Sequence, residues 1–88
     1  MNITELSKKL NEMFYSGENK NAMILLFMII YHEDIKRILK EENYTISALC
    51  KILQEKATLS SSHYYTELNK GYKLAEFVKV KDEYKGRW

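Results

Sequence analysis

Residues 45–81 read TISALCKILQEKATLSSSHYYTELNKGYKLAEFVKVK, and the architecture turns on how this stretch folds. Ile46, Leu49, Cys50, Leu53 and Ala57 recur at the steps of three and four that mark one face of a helix. Ala57-Thr58-Leu59-Ser60 reads as a four-residue turn. From Ser61 to Lys70 a helical pattern returns, with Tyr64 (or Tyr65), Leu68 and Tyr72 on one face. Phe77-Val78-Lys79-Val80-Lys81 then alternates apolar and basic residues, the period of a strand. The order is helix, tight turn, polar-faced helix and basic strand.

Working outward, Asn2 and Glu5 have the spacing of a capping box. Ile3, Leu6, Leu10, Met13 and Phe14 form the stripe of a first helix, which Ser16-Gly17-Glu18-Asn19 ends. A second helix starts near Asn19 or Asn21. Its residues Met23 to Ile30 are apolar on every side, and such a helix must be covered on every side. Either the other helices wrap it or a second copy of the chain supplies part of the cover, so a homodimer is expected as one of two solutions. Glu33 and Asp34 precede Lys36, Arg37 and Lys40, a charge order that suits the dipole of a third helix running to about Glu42. Asn43-Tyr44 is a short linker with room for a single strand bridge, and Thr45 is a good N-cap for the next helix.

Eighty-eight residues make one small domain, and an apolar fraction of 45% belongs to a folded chain. The absence of proline and the three glycines favour long helices over a sandwich or barrel. Cys50 stands alone, which excludes an internal disulfide and is consistent with a reducing compartment. The polar N-terminus does not read as a signal peptide, and the ten-residue apolar run Ala22–Tyr31 is about half a membrane span. The expected location is the cytoplasm, with no membrane partner. Net charge is only +2, but residues 69–88 hold six basic groups against three acids, while the remaining 68 residues hold eight against nine. Positive charge gathered at one end is the footprint expected of a phosphate-binding surface.

Enzyme chemistry finds little support. His32, His63 and Cys50 are the only histidines and thiol, too few for a four-ligand zinc site, and His32-Glu33-Asp34 lacks a second histidine four residues on. Cys50 sits on an apolar stripe and reads as a buried, inert thiol. There is no glycine-rich phosphate loop and no carboxylate pair that stands apart. The expectation is a non-enzymatic chain with no catalytic residue, no metal and no cofactor.

The segment 61–70 has the chemistry of a helix that enters a DNA groove: an apolar inner face and an outer face of short polar and basic groups. Ser61, Ser62, Tyr65 and Thr66 carry hydroxyls, His63 can donate or accept, and Lys70 neutralises phosphate. No arginine lies there to grip guanine, so an A·T-rich site or shape readout is expected. Capping and core packing claim some of these groups, Tyr64 above all.

Leu59-Ser60-Ser61-Ser62-His63-Tyr64-Tyr65-Thr66-Glu67-Leu68 resembles the turn and recognition helix of winged helix-turn-helix regulators, and Phe77 to Lys81 resembles their first wing strand. The resemblance covers residues 33–88 and implies a mainly α fold with a short β wing, in which Lys79, Lys81, Lys85 and Arg87 reach DNA from the wing. Two features depart from the pattern. Ala75-Glu76 stands where such proteins usually have glycine, with Gly71 earlier. The few residues before Trp88 leave a wing that is short, incomplete or truncated. The layout is also similar to that of small dimeric centromere-binding proteins of plasmid partition systems.

The whole reading is one domain, 1–88. Residues 1–42 are N-terminal helices with a dimerising role, 45–70 the helix-turn-helix and 72–88 a basic wing and tail. It would bind DNA, duplex in preference, in transcriptional control or in replication or partition of a mobile element. The runner-up is a winged-helix-like accessory subunit whose partner comes from the same operon.

Overall fold

The computed structural model describes residues 1–84 and 86–88. Five α-helices follow one another: α1 (Ile3–Phe14), α2 (Lys20–Ile30), α3 (His32–Glu41), α4 (Ile46–Lys56) and α5 (Tyr64–Leu74), with a 3-10 turn at Asp82–Tyr84. Local signals start most of them. Asn2 and Glu5 form a reciprocal capping box on α1, the Asn19 side chain accepts from the Ala22 N–H at 2.9 Å, and Thr45 Oγ1 accepts from the Ala48 N–H at 3.2 Å. Each cap satisfies a backbone donor that the first turn leaves without a partner. Tyr31 alone separates α2 from α3 and serves as C-cap of one and N-cap of the other.

The helices surround a core of Leu6, Leu10, Met13, Phe14, Ile24, Phe27, Met28, Ile35, Ile38, Leu49, Cys50, Leu53 and Leu68. α2 lies at the middle, packed most extensively on α5 and also on α1 and α3, while α4 packs on α5 and α1. Ile24, Phe27 and Met28 of α2 are fully buried; Met23, Leu25, Leu26, Ile29 and Ile30 are only half-buried. Gly71 lies inside α5 and does not end it. A Cβ there would stand 2.9 Å from Met28 Cβ and 3.3 Å from Leu25 Cα, so glycine sets how closely α5 can approach α2.

α1 also holds the turn between α4 and α5. Asn11 Nδ2 donates to the Ala57 carbonyl at 2.8 Å, and the Tyr15 hydroxyl donates to the Thr58 carbonyl at 2.7 Å. Thr58 takes a left-handed φ of 54° and ends α4 abruptly. The connection runs from Ala57 to His63, longer than the four residues expected, because α5 begins at Tyr64 instead of Ser61. Ser61 Oγ accepts from the His63 N–H at 3.2 Å, a local bond that competes with helix and keeps Ser61 and Ser62 in the loop.

The expected β wing is not formed: the described residues contain no strand, and the fold is all-helical. A wing strand needs a partner, and the Asn43-Tyr44 linker cannot supply one. Asn43 has a left-handed φ of 56°, which closes α3 and breaks any extended run. The alternating segment buries neither face fully: Phe77 is 82% and Val78 38% exposed, and Val80 is half-buried. The tail instead folds back over α2. The Tyr31 hydroxyl donates to the Trp88 carbonyl at 2.8 Å, Trp88 packs against the core, and Arg87 pairs with Glu18 at 3.1 Å. No helix among the described residues is long and apolar enough to cross a membrane.

Candidate nucleic-acid interface

α4, its turn and α5 present one polar helix face on a braced support. The inner side of α5 carries Leu68 and Gly71, buried, with Tyr64 and Tyr72 half-buried beside them. Tyr64 meets the edge of Phe14 with ring centroids 4.9 Å apart, so it serves packing, as its spacing implied, though without full burial. Thr66, Lys70 and Lys73 follow at steps of four and three along the opposite side, and all are exposed.

The start of α5 is fixed from α4. Gln54 is buried, and its Oε1 accepts from the Tyr65 N–H at 2.8 Å. This does the work of an N-cap from a different helix, for His63 at the cap position makes no side-chain capping bond. Lys51, also on α4, holds its ammonium 5.1 Å from the centre of the Tyr65 ring. α4 therefore fixes where α5 begins and holds the tyrosine at its edge.

Among the residues singled out by spacing, His63, Tyr65, Thr66 and Lys70 are brought together at the start and outer face of α5. The Thr66 hydroxyl donates to the His63 carbonyl, which leaves its oxygen lone pairs and methyl for anything that approaches. Lys70 reaches Glu67 at 3.2 Å in an exposed pair, a weak tie that phosphate can replace. Ser61 and Ser62 lie in the preceding loop, Ser61 partly buried and Ser62 exposed. Lys79 and Lys81 are exposed in the segment that leaves α5. Arg87 is drawn away to Glu18, with its guanidinium 5.6 Å from the Trp88 ring, and Lys85 lies outside the described residues.

Three residues were missed. Lys73 continues the exposed line of Thr66 and Lys70, and its position seven residues after Thr66 was the available signal. Lys51 and Gln54 belong to the face of α4 that meets α5, and nothing in their local sequence announces it.

Other chemistry is sparse. Burial pushes the Cys50 thiol up to about 12, so it stays protonated and unreactive. No group of three or more His, Cys, Asp or Glu side chains capable of holding a metal occurs among the described residues. Among known families, the model for an HTH-like domain matches residues 2–81. No curated protein and no solved structure matches the chain.

Proposed function

The chain belongs to the HTH-like domain family, whose match spans residues 2–81, and on that premise we propose that it binds duplex DNA through the outer face of α5. The observation that carries this reading is the exposed line Thr66–Lys70–Lys73 on a helix whose start is clamped by Gln54. Lysines hold the phosphates, while Thr66 and His63 face the bases. With its proton committed to His63, Thr66 offers an acceptor and a methyl. These suit the adenine N6 donor and the thymine methyl, so an A·T-containing site is favoured. Binding is non-enzymatic and needs no cofactor. Its use is transcriptional control, or replication or partition of a mobile element, in the cytoplasm.

The half-buried row Met23, Leu25, Leu26, Ile29 and Ile30 on α2 supports a homodimer, with a second copy covering what one chain leaves open. The same row favours a second reading, an accessory subunit covered by a different protein from the same operon. Sedimentation equilibrium of the pure protein separates these: dimer supports the first, monomer the second.

The deciding experiment is a titration of labelled duplex and of its separate strands at several salt concentrations. Three to five lysine–phosphate contacts give a log–log slope of roughly −3 to −5 per protomer. Lys70→Ala and Lys73→Ala weaken binding to all sequences alike. Thr66→Ala or His63→Ala changes preference among sites, by roughly 1–3 kcal/mol for a strong base contact. Salt-independent binding, or no effect from any of the four, would remove α5 from the interface.

A further inference from the structure

We propose that Phe77 is a wedge that enters a base step of the bound duplex and kinks it; the inference rests on the DNA-binding reading of α5. Phe77 is 82% exposed, far more than any other large apolar side chain described, and Leu74 and Val78 beside it are 40% and 38% exposed. An aromatic ring held in water at that level gains nothing for the fold.

Its position is defined. Beyond Leu74 the chain continues the helical sense for one more turn, through Ala75 N–H to Gly71 O at 3.0 Å and Phe77 N–H to Leu74 O at 2.9 Å. Thr66, Lys70, Lys73 and Phe77 thus succeed one another at steps of four, three and four, and all four are exposed. Because this face runs the length of α5, the helix lies along the DNA instead of entering end-on. Eleven residues at about 1.5 Å each make α5 about 16 Å long, more than the about 12 Å width of the major groove. With the start of α5 in that groove, the turn at Phe77 stands over the phosphate rail at the edge of the next groove.

Charge selects the occupant. Between residues 69 and 81 there are four lysines, Lys70, Lys73, Lys79 and Lys81, and one acid, Glu76. Lys73, Lys79 and Lys81 form no ion pair with any described residue. Protein interfaces are poor in lysine, whereas a polyanion accepts an apolar tip ringed by ammonium groups. Phe and Leu inserted between base steps kink DNA by roughly 20–90°. The flanking Leu74, 40% exposed, would rest on the sugars as the ring unstacks the step.

The test uses a 24-bp A·T-rich duplex with a dye pair at its ends and 2-aminopurine at a central TA step. Wild-type protein should raise both energy transfer and 2-aminopurine fluorescence. Phe77→Ala should keep salt-dependent binding, weakened on the order of 10-fold, while both signals vanish. Phe77→Leu should retain part of the bend. Equal melting temperatures for wild type and Phe77→Ala exclude a folding defect. The proposal is overturned if Phe77→Ala bends and binds like wild type. It is equally overturned if the substitution leaves DNA binding intact and dissociates a protein oligomer instead. If wild-type protein fails to bind any duplex, the DNA reading itself is lost, a result distinct from losing the bend alone.

Discussion

Gly71 is the residue at which helix propensity and packing oppose each other. Inside a helix, Gly→Ala should gain about 1 kcal/mol. Here the new methyl would meet Met28 Cβ at 2.9 Å and Leu25 Cα at 3.3 Å, neither of which is the free end of a flexible side chain. Overpacking of this kind costs about 1–3 kcal/mol, so packing wins. Gly71→Ala should lower stability by about 1 kcal/mol net and the melting temperature by about 4–8 °C, read by thermal unfolding. A glycine at position 17 does a different job: its φ of +90° carries the chain out of α1, and no neighbour lies within 4 Å of where a Cβ would sit.

At the scale of elements, the start of α5 depends on α4. Gln54→Leu removes the acceptor for the Tyr65 N–H and should destabilise the first turn of α5 by about 1–2 kcal/mol. Hydrogen exchange should then accelerate at Tyr65 more than at buried Leu49 or Leu53, and DNA affinity should fall with it. Uniform exchange across both helices would show that Gln54 does not act locally. This bond also marks where sequence reading ran out. The capping side chains of Asn2, Asn19 and Thr45 bond within three residues and are legible from spacing. Gln54 reaches eleven residues ahead, and Asn11 and Tyr15 reach more than forty, so no local pattern announces them. α1, α4 and α5 are legible, as is the buried Cys50, because burial on one face imposes a helical period, whereas α2 shows as an unbroken apolar run and α3 as an ordered set of charges. The wing was misread for the same reason. Phe77 to Lys81 has the period of a strand, but a strand is a property of pairs, and the chain supplies no partner. Of the candidate site, Thr66 and Lys70 are legible as the polar face of a helix, whereas charge counting adds Arg87, which is held by Glu18.

For the molecule as a whole, buried thiol and phenol groups make alkaline pH destabilising. The folded Cys50 thiol is pushed up to about 12 from an ordinary 9.0, and burial also raises Tyr31 above its ordinary 10.0. A raised value means that the unfolded chain loses its proton first. The stabilising contribution is full below about pH 9 and is lost progressively as pH rises toward 12. Urea melts at successive pH values above 9 should show stability falling by up to about 1.4 kcal/mol per unit for each such group. A Cys50→Ala variant should show the shallower slope; an unchanged slope would mean the thiol is not shielded. Alkylation of Cys50 in the native protein should proceed only at the rate of opening.

The two anchors of the tail and the amino terminus have a topological consequence. The terminal ammonium pairs with Asp34 at 3.1 Å, and the Trp88 carbonyl takes the Tyr31 hydroxyl at 2.8 Å. Tyr31 and Asp34 are one helical turn apart. Met1 and Trp88 are therefore moored to the same knuckle. The folded radius of gyration is 11.8 Å, against about 29 Å for an unfolded chain of this length. A short bridge would close the backbone into a ring with little distortion, and a host protein could carry the unit as a bulb on a single stalk, entering and leaving by one door.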